Sequence, residues 1–166
     1  MKESTLLKEI ILLLLKIVVV AVVVVLVFTF LYGGYRSPDP AMSPAIRDGD
    51  LVMFYRLDKT YTAGDTLLLE YEGQRQVRRV IATAGDTVDI TEDGLMINGA
   101  LQQEPQIYQK TQRYADGVTF PLTVGEGQVF VLGDARENAT DSRVYGAVNV
   151  KDTQGKVIAI LRRRNI

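Results

Sequence analysis

Residues 10–32 form one apolar run, interrupted only by Lys16 and Thr29. At 1.5 Å per helical residue the run reaches about 34 Å, enough to cross a bilayer core of about 30 Å. Residues 18–25 are almost all valine and would favour strand in water. An unpaired strand in lipid leaves its backbone polar groups unsatisfied, so a helix is expected. Lys16 lies about one and a half turns in, where its stem can carry the charge back to the headgroups. A cleaved export signal has a shorter apolar region that ends in small residues. This run ends Phe28-Thr29-Phe30-Leu31-Tyr32, which predicts an uncleaved anchor. Lys2, Lys8 and Lys16 precede or open it, and Arg36 is the nearby positive charge beyond it. That asymmetry predicts a short cytoplasmic N-terminus over residues 1–9 and an exported domain on the far side of a cell membrane.

With 166 residues in all, the chain has room for one modest domain behind the anchor. Such a domain, roughly 130 residues long, can bury a core without covalent staples. The formal net charge is −1, which gives no electrostatic footprint for nucleic acid. A basic end, Arg162-Arg163-Arg164, reads as a solvated or lipid-facing tail. The sequence has no Cys and no His. Disulfides, thiolate nucleophiles, imidazole metal sites and a Ser-His-Asp triad are therefore excluded. No cofactor or metal is expected. A hydrolase built from these residues needs Ser or Thr with Lys, or a pair of carboxylates.

Residues 33–40 contain Gly33-Gly34 and Ser37-Pro38-Asp39-Pro40, a short linker leaving the membrane. Beyond it the patterns are those of strands, predicted at 51–57, 66–71, 76–82, 87–90, 95–97, 129–132 and 156–160. Gly73 marks one hairpin, Glu92-Asp93-Gly94 a second, and Asn98-Gly99 a further turn. Residues 100–126 are rich in Gln, Tyr, Thr and Gly with weak period, which predicts a loop-rich insertion. No helical period is evident after the anchor. The fold class expected for residues 41–166 is all-β.

Four boxes, in order behind the anchor, carry a family resemblance. Pro40-Ala41-Met42-Ser43-Pro44 followed by Gly49-Asp50 resembles the Ser-Met-x-Pro box of the type I signal peptidases. Arg78-Arg79-Val80-Ile81 with Gly85-Asp86 resembles their Lys-Arg-Val-Ile box, and residues 94–99 resemble a family hairpin. Residues 133–143, which include Gly133, Asp134, Arg136, Asp141 and Arg143, resemble their Gly-Asp-Asn-Arg…Ser-x-Asp-Ser-Arg stretch. The resemblance implies an antiparallel β-sheet domain behind one transmembrane helix. It also implies a membrane-bound serine endopeptidase that releases exported proteins from their signal peptides with a Ser-Lys dyad.

The sequence departs from that pattern where the chemistry lies. The nucleophile position is Ala41, which has no side-chain oxygen. The base position is Arg78, whose guanidinium stays protonated. The serine that orients the lysine in the family falls on Ala139. Met42 and Pro44 keep the turn, and the Ala41 backbone N–H is a candidate oxyanion donor. Asp134, Arg136, Asp141 and Arg143 match the family's supporting residues, and their simpler reading is a set of ion pairs tying two strands together. Ser43 is a weak substitute nucleophile with no lysine matched to it. Lys59, Lys110, Lys151 and Lys156 read as solvated. Met53, Phe54 and Tyr55 read as core strand, or as a membrane-dipping lip beside a peptide groove. The expected partners are membrane lipid and signal-peptide-bearing proteins. The leading expectation is a signal peptidase-like protein unable to cleave. The alternatives are a non-catalytic binder of surface proteins, such as a pilus-assembly chaperone acting on pilins, and an anchored β domain with an unrelated partner.

Overall fold

A computed structural model describes residues 2–162, so Arg163 and Arg164 of the basic end lie outside the described residues. The chain divides after Gly33 into two compact units. The first is helix α1 (Lys2–Phe30), of which Leu6–Phe30 has a mean hydropathy of 3.6 and is long and apolar enough to cross a membrane. Its large side chains are exposed on every face, from Leu13 and Val20 to Phe28. A helix apolar all round has no solvated side, which suits lipid rather than a protein core as its surroundings.

The second unit is built on two sheets. The larger runs β1 (Tyr32–Arg36), β2 (Leu51–Tyr55), β11 (Thr153–Leu161), β3 (Thr66–Tyr71), β4 (Gln74–Thr83), β9 (Gln128–Leu132) and β10 (Val148–Asn149). The smaller runs β7 (Ala100–Leu101), β6 (Gly94–Ile97), β5 (Thr87–Thr91) and β8 (Leu122–Thr123). Pairing between β2, β11, β3, β4, β9 and β10 is antiparallel throughout, as it is in the smaller sheet. The all-β expectation is borne out. Helix α2 (Ser142–Tyr145) and single 3₁₀ turns at Pro40–Met42 and Val150–Asp152 correct the expectation of no helix after the anchor. Each is too short for a hydrophobic period to register.

Alternation builds the core. On β3, Leu67 and Leu69 pack with Tyr61, Val80 and Val131, while Leu68 faces the other way to Met42, Val52, Phe54 and Val77. The larger sheet is thus apolar on both faces. The 51–55 run, read as core or lip, divides by the same rule: Val52 and Phe54 are buried while Leu51, Met53 and Tyr55 are half-exposed. A third cluster, with Val88, Ile90, Leu95, Phe120, Phe130 and Leu132, joins the smaller sheet to β4 and β9. Strand β11 serves two neighbours, β3 through Thr153–Lys156 and β2 through Lys156–Leu161, by shifting register at Gly155. A Cβ there would overlap the Tyr55 carbonyl, so only glycine permits the crossing.

Candidate active site

The first box forms a 3₁₀ turn whose construction follows from Asp39-Pro40. Pro40 supplies the fixed φ of a first helical position, and Asp39 takes the N-cap place. The Asp39 carboxylate accepts a hydrogen bond from the Ala41 N–H at 2.8 Å. The Ser43 N–H donates to the Pro40 carbonyl at 2.8 Å, closing the turn. Met42 then drops into the cluster with Ile46, Val52 and Phe54, each such burial contributing about 2 kcal/mol. Behind the turn, the Asp50 carboxylate accepts from the Arg47 N–H at 3.0 Å and from Arg162 at 3.2 Å. Burial pushes its pKa up, but the Arg47 N–H and the Arg162 guanidinium outweigh that, and the net shift is downward. Arg162 also donates to the Ala45 carbonyl at 2.9 Å, so the end of β11 holds the far side of the turn.

Ala41 and Ala139 meet at Gly133, and Arg78 bonds the residues near each of them, Asp39 and Thr140. A methyl group on Gly133 would overlap the Ala139 Cβ and stand 2.8 Å from the Ala41 carbonyl oxygen. The Ala135 N–H donates to that carbonyl at 2.9 Å. Ala41, Arg78 and Ala139 are 0%, 2% and 3% exposed, so the position is closed to solvent. The Arg78 guanidinium donates to Asp39 Oδ2 at 2.9 Å, to the Thr140 carbonyl at 2.9 Å and to the Val77 carbonyl at 2.6 Å. One cation on β4 therefore fastens the segment before Ala41 to the segment after Ala139. The Ala41 N–H is taken by Asp39 and does not point into an empty hole, which corrects its reading as a candidate oxyanion donor.

Beside Arg78, the Tyr145 hydroxyl is buried without a hydrogen bond, and its ring lies 4.5 Å from that of Tyr71. Burial pushes the Tyr145 pKa up, opposed in part by the Arg78 charge, so it stays a neutral phenol.

The four charged residues of the last box are not one cluster tying two strands. Asp134 takes a two-pronged bond from Arg79, at 2.8 and 2.6 Å, and that carboxylate raises the pKa of Arg79. Arg136 is clamped by Glu104 at 2.7 and 2.6 Å, and it also donates to Thr111 and to the Gly133 carbonyl. Only Asp141 and Arg143 pair with each other, at 2.8 Å. The Asp141 carboxylate also receives the Gly133 N–H at 3.1 Å, and Arg143 donates to the Arg136 and Gln112 carbonyls and stacks on Tyr114. Two buried arginines thus bind the irregular 100–126 segment to the 133–143 loop. Among the lysines, Lys156 is paired with Asp65 at 2.6 Å rather than solvated, and Lys59 donates to the Lys151 carbonyl.

Chemically, position 41 offers a methyl group and position 78 a fixed cation. Ala41 has no side-chain oxygen, and the Arg78 guanidinium has no lone pair with which to take a proton. No group of three or more potential metal ligands converges among the described residues. Asp39, Glu104 and Thr140 were not singled out by sequence. Asp39 alone carried a signal, an N-cap residue directly before a proline.

The family model described as "Signal peptidase, peptidase S26" matches residues 8–162. Signal peptidase I of Bacillus amyloliquefaciens is 33% identical over 127 residues, which is 71% of this chain and 69% of that protein. Signal peptidase I S of Bacillus subtilis (strain 168) is 31% identical over 128 residues, 71% of this chain and 70% of that protein. A crystal structure of a signal peptidase I from Enterococcus faecalis V583 is 30% identical, covers 60% of this chain and 97% of that chain, and gives a TM-score of 0.49. By the family match over residues 8–162 and the 33% identity to the Bacillus amyloliquefaciens enzyme, the chain belongs to the signal peptidase family, peptidase S26.

Proposed function

We propose that this chain is a membrane-anchored signal peptidase homologue that holds the leader ends of exported proteins without cutting them. The observation that carries the reading is Arg78. Where a peptidase of this kind needs a neutral amine, this chain has a cation bonded to Asp39 and Thr140, next to a buried Ala41. The scaffold around it is intact, which supports retained binding: the turn is capped, Met42 is seated, and Asp141 ties the 133–143 loop together through Gly133 and Arg143.

The full chain in lipid nanodiscs, titrated with a fluorescent peptide bearing an apolar run and a terminal Ala-x-Ala, should bind and leave the peptide uncut. Cleavage above that of an empty nanodisc, or no binding up to about millimolar peptide, would remove this reading. A surface protein such as a pilin would be one cargo of a binder of this kind. Replacing the Ala-x-Ala peptide by a pilin in the same titration distinguishes that cargo from a signal peptide.

The lysines at the start of the anchor support a cytoplasmic N-terminus, with the β domain outside. Protease added to intact cells should then digest the region after Gly33. Protection of that region would reverse the topology.

A further inference from the structure

Beside the closed position lies an open recess of about 330 Å³, lined by Pro40, Ser43, Pro44, Tyr108, Ala135 and Asn138, among others. Its wall comes from the irregular segment, and that wall is fastened on both sides of Tyr108. On one side Glu104 is held by Arg136. On the other, the Gln109 side-chain amide donates to the Glu137 carboxylate at 3.4 Å and accepts from the Glu137 N–H at 3.2 Å, and Arg143 holds the Gln112 carbonyl. Between these fastenings Tyr108 is 83% exposed. An aromatic ring left bare on a strap that two buried arginines secure is not explained by packing. Nor do the Tyr108 and Ser43 hydroxyls or the Asn138 amide make a side-chain hydrogen bond among the described residues.

We infer that this recess is a second subsite, which takes the segment of the exported protein that follows its small leader residues. The inference rests on the binding reading above. The recess shares Pro40, Ser43 and Pro44 with the turn that carries Ala41, so a chain passing that turn continues into it. Its chemistry selects the side. The part of a leader before its small residues is a long apolar run. The recess instead combines a flat aromatic ring and proline faces with a hydroxyl and an amide free to bond a peptide backbone. That suits an extended, polar stretch of three or four residues, held by ring contact and main-chain hydrogen bonds.

The test uses the full chain in nanodiscs and three synthetic peptides. One ends at Ala-x-Ala, one carries four polar residues after it, and one carries four extra residues before its apolar run. The trailing extension should tighten binding by about tenfold and the leading extension should not. In Tyr108→Ala, and in Asn138→Ala as a second exposed change, the gain from the trailing extension should fall to about twofold or less, while the short peptide binds as before. If all three peptides bind equally well, or the gain survives in both variants, the binding reading stands and the subsite is overturned. If none binds up to about millimolar, the binding reading fails and the subsite falls with it.

Discussion

The position around Ala41 and the recess beside it share the Pro40–Pro44 segment, yet they spend their side chains in opposite ways. Around Ala41 the charged groups are turned inward: Asp39 to the Ala41 N–H and Arg78, Arg78 to Thr140, and Asp141 to Gly133. In the recess, the Tyr108 and Ser43 hydroxyls and the Asn138 amide make no side-chain hydrogen bond among the described residues. Around Ala41 and Arg78 the chain has built a structural joint. In the recess it has open surface. A bonded joint and an open polar surface are thus separated by only a few residues.

The sharpest way to break that contrast is Gly133→Ala. Its methyl group would have to displace Ala139 and the Ala41 carbonyl, both backbone-anchored, and a cost of about 3 kcal/mol is expected. Arg78→Met should come next. It leaves Asp39 and the Thr140 carbonyl without their donor, but Asp39 is partly solvated, so about 2 kcal/mol is expected rather than the full penalty of a buried pair. Tyr108→Ala should lie within about 0.5 kcal/mol of the unaltered chain, as an exposed side chain away from packing does. Denaturant unfolding of the full chain in detergent measures all three. A joint that tolerates Gly133→Ala as easily as Tyr108→Ala would not be a joint.

The strands were legible because they follow alternation. The 66–71 prediction coincides with β3, and the hairpin at Gly73 forms where Glu72 and Gly73 both adopt positive φ. Strand ends were less so: β4 extends to Gln74 and Thr83, and β11 starts at Thr153, because pairing partners rather than local residues decide where a ladder stops. The identity of residues 41, 78 and 139 could be read directly. The partners of the buried arginines could not, because Arg78 meets Asp39 from 39 residues away and Arg136 meets Glu104 from 32. No period or spacing encodes such a pair. The same blindness affects repair. From sequence, Arg78→Lys supplies the missing base. Next to Asp39, a lysine would instead be held protonated, because an opposite charge favours the charged form.

Single-turnover cleavage of a signal-peptide substrate, followed through cumulative repair of the full chain, tests the central claim most directly. The unaltered chain should sit at background, and so should Ala41→Ser, which adds an oxygen but no base. Adding Arg78→Lys and Ala139→Ser should still give little, with Asp39 holding the lysine proton and the residue 41 N–H. Adding Asp39→Ala should release both, and the gain should approach the range of general-base assistance, about 10²–10⁴-fold. Cleavage by the unaltered chain, or full activity on Ala41→Ser alone, would show a base elsewhere and contradict the account of Arg78 as a structural cation in a closed site.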